Sequence, residues 1–401
     1  MSIRDPIADG LAAGWKVTRG SDLEGDLVLD TDVAIVGTGA GGGVTADILS
    51  AAGFDVVLIE EGPLRSSRDF RMLEAEAYPQ LYHESAARKT HDKAITILQG
   101  RCVGGSTTVN WTSSFRTPGP TLRFWNERLG LPELAPQAMQ PWFEQMEAAL
   151  GVAPWTVPPN ENNDLLRRGA GRLGIGTGSI RRNVRDCWNL GYCGMGCPTN
   201  AKQSMLVTTI PAALGRGARL LAEVRVERLA LRGGRVEAVH GLAMAARGVA
   251  PSGRRVTVRA RHVVLAAGQA VAVEGLERDL DLERGAVAPD FEPQAFARLG
   301  LLEGGGGGHA VAAVEDHGVA ADLVVADGEQ HVVGAEHARG RAAGAQVVHP
   351  RAQAAVDGQA EVATVGGILQ GLEGDAGHGH AVVTTILHVA QKMAHDLGRD
   401  E

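Results

Sequence analysis

The sequence predicts an α/β fold built on a parallel sheet, and three observations carry that prediction. Two short apolar runs, residues 33–36 (Val-Ala-Ile-Val) and 56–59 (Val-Val-Leu-Ile), bracket a helical stretch long enough for a crossover. A glycine-rich turn, Gly37-Thr-Gly39-Ala-Gly-Gly42, joins the first run to that helix. A third apolar run, residues 263–265, ends in Ala-Ala-Gly268, which suits a core strand whose end must come close to a ligand.

Residues 33–36 read as a buried strand, about 42–52 as the helix, closed by Gly53, and 55–60 as the next parallel strand. Gly37 permits the tight turn, Gly39 lets backbone N–H groups approach a pyrophosphate, and Gly42 lets the helix lie close to the strand. Glu60 stands eighteen residues after Gly42, at the end of the second run, where a carboxylate can accept from a ribose 2′-OH. Strand, glycines, helix, strand and acid in this order predict a dinucleotide-binding, Rossmann-like unit. The alternative is a structural turn with no ligand.

Residues 63–98 are mixed and polar and read as a loop-and-helix excursion. Residues 100–118 hold a second glycine-centred turn, and 137–150 read as a helix whose Trp142, Phe143, Met146 and Leu150 form a core stripe. An irregular loop follows at 187–204, then a short helix to about Leu214. Candidate strands run over 219–229, 236–245 and 255–265, separated by Gly-Gly and Pro-Ser-Gly turns.

A length of 401 residues allows two domains with full-sized cores. A net charge of −8 gives no reason to expect a nucleic-acid partner. The N-terminus lacks the apolar stretch of a secretory signal, and no run is long enough to span a membrane, so a cytoplasmic protein is expected, with peripheral membrane attachment left open. The average charge hides a break. Residues 1–268 carry 31 Lys/Arg and 26 Asp/Glu, whereas 269–401 carry 8 and 21. All six Trp, three Tyr and four Cys lie in the first part, and nine of the thirteen His in the second.

Together these segments resemble the glucose–methanol–choline (GMC) family of flavoprotein oxidoreductases over about residues 30–268. The turn at Gly37, Gly39 and Gly42 with Glu60 looks like the family's FAD fingerprint. Gly100-Arg101-Cys-Val-Gly104-Gly105-Ser106-Thr-Thr-Val-Asn110 resembles its first signature, although Phe115 sits one place later than usual. Asn200-Ala-Lys202-x-Ser204 resembles the segment leading into the FAD-contacting strands, Val226 the strand beside the adenine, and Ala266-Ala-Gly268 the strand that closes the site. The resemblance implies FAD as cofactor, with Arg101, Gly104, Gly105, Ser106 and Asn110 along the pyrophosphate and flavin. A turn-capping role is the alternative for Asn110.

Cys187, Cys193 and Cys197 admit three readings: a disulfide, disfavoured in a reducing compartment, a three-iron cluster such as some membrane-associated sugar dehydrogenases of the resembled family carry, or a loop covering the flavin. The covering loop is adopted, with no metal assigned. Cys102 reads as a small packed residue.

The resemblance fades after Gly268, where a glycine run at 304–308 replaces the expected helix. His331-Val-Val-Gly334 resembles the start of the family's catalytic histidine segment, with Ala335 where Thr is usual, so His331 is the candidate base. Residues 384–397 resemble the terminal helix, without the preceding Asn-Pro. His380 lies near that place. The expected division is 1–130 for the first part of an FAD-binding domain, 131–204 for a cap or substrate-side insertion with the cysteine loop, 205–268 for the second part, and 269–401 for an atypical, smaller substrate region. The simultaneous change in charge, aromatics, histidine and motif suggests the hypothesis that 269 to about 380 derive from a disturbed reading frame or recombined gene.

Two readings of function follow. In the first, FAD takes a hydride from an alcohol or sugar CH–OH, His331 takes the proton, and electrons pass to a quinone, a cytochrome or oxygen. In the second, the chain binds FAD without catalysis. A weaker third, a nicotinamide-dependent dehydrogenase, predicts a colourless protein.

Overall fold

The structure, a computed structural model, describes residues 3–267 except 91, 233, 234, 246 and 247, together with the strand residues 272–274 and 363–364. Among the described residues the α-helices are α1 (Pro6–Ala12), α2 (Ala40–Ala51), α3 (Glu74–Leu81), α4 (Ser106–Val109), α5 (Gly119–Leu129), α6 (Pro136–Ala149), α7 (Glu161–Arg172) and α8 (Thr209–Gly215). The strands are β1 (Lys16–Arg19), β2 (Leu27–Val36), β3 (Val56–Glu60), β4 (Val152–Pro154), β5 (Arg181–Asn183), β6 (Arg219–Ala222), β7 (Val224–Arg232), β8 (Arg235–Met244), β9 (Pro251–Leu265), β10 (Ala272–Glu274) and β11 (Ala363–Thr364).

The main sheet runs β1-β6-β3-β2-β9-β8-β7-β10, with β11 also paired to β9, and β4 and β5 form a separate ribbon. The pairs β1/β6, β6/β3, β3/β2 and β2/β9 are parallel, whereas β9/β8 and β8/β7 are antiparallel. The expected α/β fold with a parallel sheet is therefore present. Its first crossover is β2–α2–β3, in register from Val33 opposite Val56 to Val36 opposite Ile59.

Alternation explains the layers. Val33, Ile35, Val56, Leu58, Leu220 and Ala222 point into a core shared with α2 and α8. Their neighbours Ala34, Val36, Val57, Ile59 and Leu221 point to the opposite face, into a core shared with the antiparallel strands. Strands buried on both faces read as continuous apolar runs, which is why the sequence displays them so plainly. A third cluster joins Leu122 and Trp125 of α5 to Leu134, Met139 and Phe143, so α5 packs with the segment after residue 131.

The structure departs from expectation in two places. The strand expected over 219–229 is two strands, because Glu223 takes φ +59 between them. Its N–H donates to the Gly62 carbonyl at 3.1 Å and its own carbonyl accepts from Met244 at 2.8 Å, so the chain changes sheet partners at this residue. The Pro-Ser-Gly turn expected at 251–253 lies inside β9, where Met244 opposes Pro251 across a register shift.

Candidate functional site

The fingerprint turn is built as its residue types dictate. Gly37 sits at φ +95, and a Cβ there would lie 2.6 Å from the Ala266 carbonyl oxygen. A Cβ on Gly42 would lie 1.8 Å from the Gly37 oxygen, so only glycine lets α2 leave the strand at this angle. Gly39 differs: the nearest atom to its would-be Cβ is the Gly105 Cα at 4.0 Å. It caps α2 with no side-chain hydrogen bond to the first-turn N–H groups, which leaves that helix end open to an anion.

The second glycine segment lies against the first. Gly105, at φ +54, brings its would-be Cβ within 2.8 Å of the Gly39 Cα, and the Gly104 N–H donates to Thr38 Oγ1 at 3.1 Å. Thr38 in turn donates through Oγ1 and N–H to Glu60 Oε2, at 2.6 and 3.1 Å, while Gly62 N–H donates to Oε1 at 2.9 Å. Glu60 is buried, and burial pushes its carboxyl above the usual carboxylate range against the pull of these hydrogen bonds. A carboxylate offers about four acceptor positions, so three donors leave capacity for one more.

Arg101 is buried. Its guanidinium lies 3.8 Å from Glu61 and donates to the Gly248 carbonyl. Burial raises the Glu61 carboxyl, with Arg101, Arg225 and Arg88 pulling it back. Ser106 begins α4 and its Oγ accepts from Gly100 N–H at 3.0 Å. Asn110 ends that helix, and its Oδ1 accepts from Thr112 N–H at 3.3 Å, an Asx-type turn contact. Val226 is half-buried on β7 beside a bulge. Ala266 N–H donates to the Val36 carbonyl at 2.7 Å, which puts the end of β9 beside the fingerprint turn. Gly268, His331, His380, the glycine run at 304–308 and the helix expected at 384–397 lie outside the described residues.

The three cysteines of the loop are free thiols, half-buried. Among the described residues no group of three or more His, Cys, Asp or Glu is arranged to hold a metal ion. Burial raises the Cys193 thiol, with Lys202 opposing, and it pushes the fully buried Cys102 thiol to about 12, so Cys102 is inert packing. Two residues that matter here were given no role of their own by sequence reasoning, although Lys202 stood in the motif of residues 200–204. Thr38 bridges Glu60 to the second glycine segment, and its place between two fingerprint glycines was the available signal. Lys202 is buried among backbone carbonyls, for which a lysine in a polar segment gives no signal.

The two segments meet at Gly39 and Gly105 beside the uncapped N-terminus of α2, and backbone donors there suit the oxygens of a dinucleotide diphosphate. A family model for GMC oxidoreductases matches residues 78–276. An uncharacterized GMC-type oxidoreductase of Sinorhizobium fredii is 32% identical over 221 residues, covering 55% of this chain and 44% of that protein. A long-chain-alcohol oxidase of Arabidopsis thaliana is 34% identical over 210 residues, covering 52% and 28%. The crystal structure of pyridoxine 4-oxidase from Mesorbium loti aligns with a TM-score of 0.45 and 21% identity, over 60% of this chain and 50% of that one. This chain thus spans less than half the length of these curated relatives.

Proposed function

Because this chain belongs to the GMC oxidoreductases, a family of FAD-dependent flavoproteins, we propose that it holds FAD across its two glycine segments and serves the oxidation of a CH–OH group. The seam between Gly39 and Gly105, tied by Thr38 to Glu60 and Gly104, carries this reading. When bound, the flavin supplies the acceptor for a hydride from the substrate carbon. Gly37, Gly39 and Gly42 with the open end of α2 receive the diphosphate, and Glu60 receives a ribose hydroxyl on its remaining acceptor position. Gly104 and Gly105 keep the backbone clear, Ser106 and Asn110 line the flavin side, and Val226 and Gly268 bound the adenine and the closing strand. Arg101 acts indirectly, holding Glu61 beside the ribose-binding carboxylate.

On this reading residues 1–130 and 205–268 build the FAD domain and 131–204 the substrate-side insertion. The substrate is an alcohol, supported by the alcohol oxidases among the relatives, with a sugar as the other class. His331 takes the alcohol proton. Electrons leave to a quinone, a cytochrome or oxygen. No helix among the described residues is long and apolar enough to cross a membrane, and we assign the protein to the cytoplasm or a membrane surface.

A second reading, an FAD-binding protein without turnover, is favoured by one observation: charge, aromatic and histidine content all change after residue 268. A visible spectrum, repeated anaerobically with primary alcohols and aldoses, separates the two. Bleaching by a donor, abolished in His331→Ala, supports the dehydrogenase or oxidase. A flavin spectrum that no donor changes supports the second reading, and a colourless protein that takes up no FAD defeats both.

A further inference from the structure

Lys202 is 2% exposed, yet it is a lysine in an otherwise polar loop. Its Nζ donates to the carbonyls of Thr108 at 2.9 Å, Asn110 and Cys193 at 2.8 Å. Thr108 and Asn110 lie at the C-terminal end of α4, the short helix that follows Gly104 and Gly105, and carbonyls there have no partner within the helix. Cys193 begins a short 3-10 turn within the cysteine loop, which is seated by Gly194 against Trp111 and by Gly196 against Phe70. Lysine brings three N–H donors on a flexible stem, enough to join three carbonyls from two segments.

The segment carrying Lys202 is itself fixed. Arg185 N–H donates to the Ala201 carbonyl at 2.8 Å and Gln203 N–H to the Asn183 carbonyl at 2.9 Å, on either side of a bridge between Val184 and Lys202. Lys202 N–H also donates to Cys197 Sγ at 3.5 Å, and Met205 N–H to Thr107 Oγ1 at 3.1 Å. The ammonium therefore reaches both segments from a rigid base.

We propose that Lys202 is a positioning residue of the site: its ammonium ties the exit of the second glycine segment to the cysteine loop and so sets where residues 104–110 lie. This rests on the FAD reading only for its consequence, that loosening the tie weakens FAD. The tie itself is tested without FAD.

The experiment uses the full chain as wild type, Lys202→Met and Lys202→Arg. Amide hydrogen exchange is measured on FAD-free protein, and FAD affinity by flavin fluorescence quenching. In Lys202→Met the strands β2, β3 and β9 keep their protection. Exchange rises together at residues 107–112 and 192–198, by about tenfold or more, and FAD affinity falls. Lys202→Arg, which keeps the charge and donors, restores part of both. Wild-type exchange in either segment of Lys202→Met overturns the proposal. So does loss of protection throughout the sheet in both Lys202→Met and the donor-retaining Lys202→Arg, which makes Lys202 a general core residue. Coupled loosening in a protein that binds no FAD, variant or wild type, upholds the tie and sinks the FAD reading instead.

Discussion

At the scale of single residues, the glycines of the site divide into those the fold requires and those a ligand requires. A Cβ on Gly42 collides with the Gly37 carbonyl, whereas one on Gly39 meets nothing closer than 4.0 Å. Gly39→Ala is expected to keep wild-type stability, within about 0.5–1 kcal/mol, and to lose FAD affinity because its methyl enters the diphosphate cradle. Gly42→Ala is expected to lose both. Denaturant melts beside flavin titrations check this, and a Gly39→Ala protein that binds FAD normally removes the diphosphate from this turn. A second residue supplies a pH dependence. His83 is held neutral, its pKa lowered to about 4 first by burial and then by Arg88 and Arg101. Below 6.5 the unfolded chain takes up a proton that the folded chain refuses, so this contribution is present above pH 6.5 and is lost as pH falls toward 4. His83→Gln is expected to flatten the pH dependence of the unfolding free energy from urea melts over that interval by about 1–2 kcal/mol, allowing for partial solvent screening. An unchanged acid slope defeats the assignment. Glu60 acts in the opposite sense, since its raised carboxyl favours the fold below the ordinary value of 4.5 and that advantage is lost as pH rises.

At the scale of elements, packing sets how much room Gly194 and Gly196 of the cysteine loop have. Gly196 has φ +86 and would place a Cβ 2.3 Å from the buried Phe70 ring, while a Cβ on Gly194 would stay 3.3 Å from Trp111. Gly196→Ala is expected to cost about 2–4 kcal/mol, and Gly194→Ala less than about 1 kcal/mol. Equal losses in thermal melts contradict the geometry. The crossover β2–α2–β3 was legible in sequence because both strands are buried on each face and the turn is glycine-coded. The break at Glu223 was not, because a glutamate at positive φ carries no local signature. It is held there by Gly62 and Met244, far away in sequence. The turn role of Asn110 was legible as an alternative, since Asn commonly serves such turns.

At the scale of the whole molecule, the layers of helix, parallel sheet and antiparallel strands account for residues up to 267, and the family match ends at 276. The shift from 31 basic and 26 acidic residues to 8 and 21 falls at the same place. If 269 to about 380 derive from a disturbed frame, the coding DNA read in its other frames is expected to yield a GMC-like continuation with a catalytic histidine segment. Absence of one in every frame ends that idea. The sequence by itself determined the α/β class, the βαβ unit and the positions of both glycine segments, because glycine spacing and doubly buried strands are written in local residue types. Only the tertiary structure decided that the two segments abut at Gly39 and Gly105, that Arg101 turns to Glu61, and that Lys202 joins α4 to the cysteine loop. Those contacts depend on which distant backbone groups meet in space, and carbonyls and N–H groups are the same in every residue that supplies them.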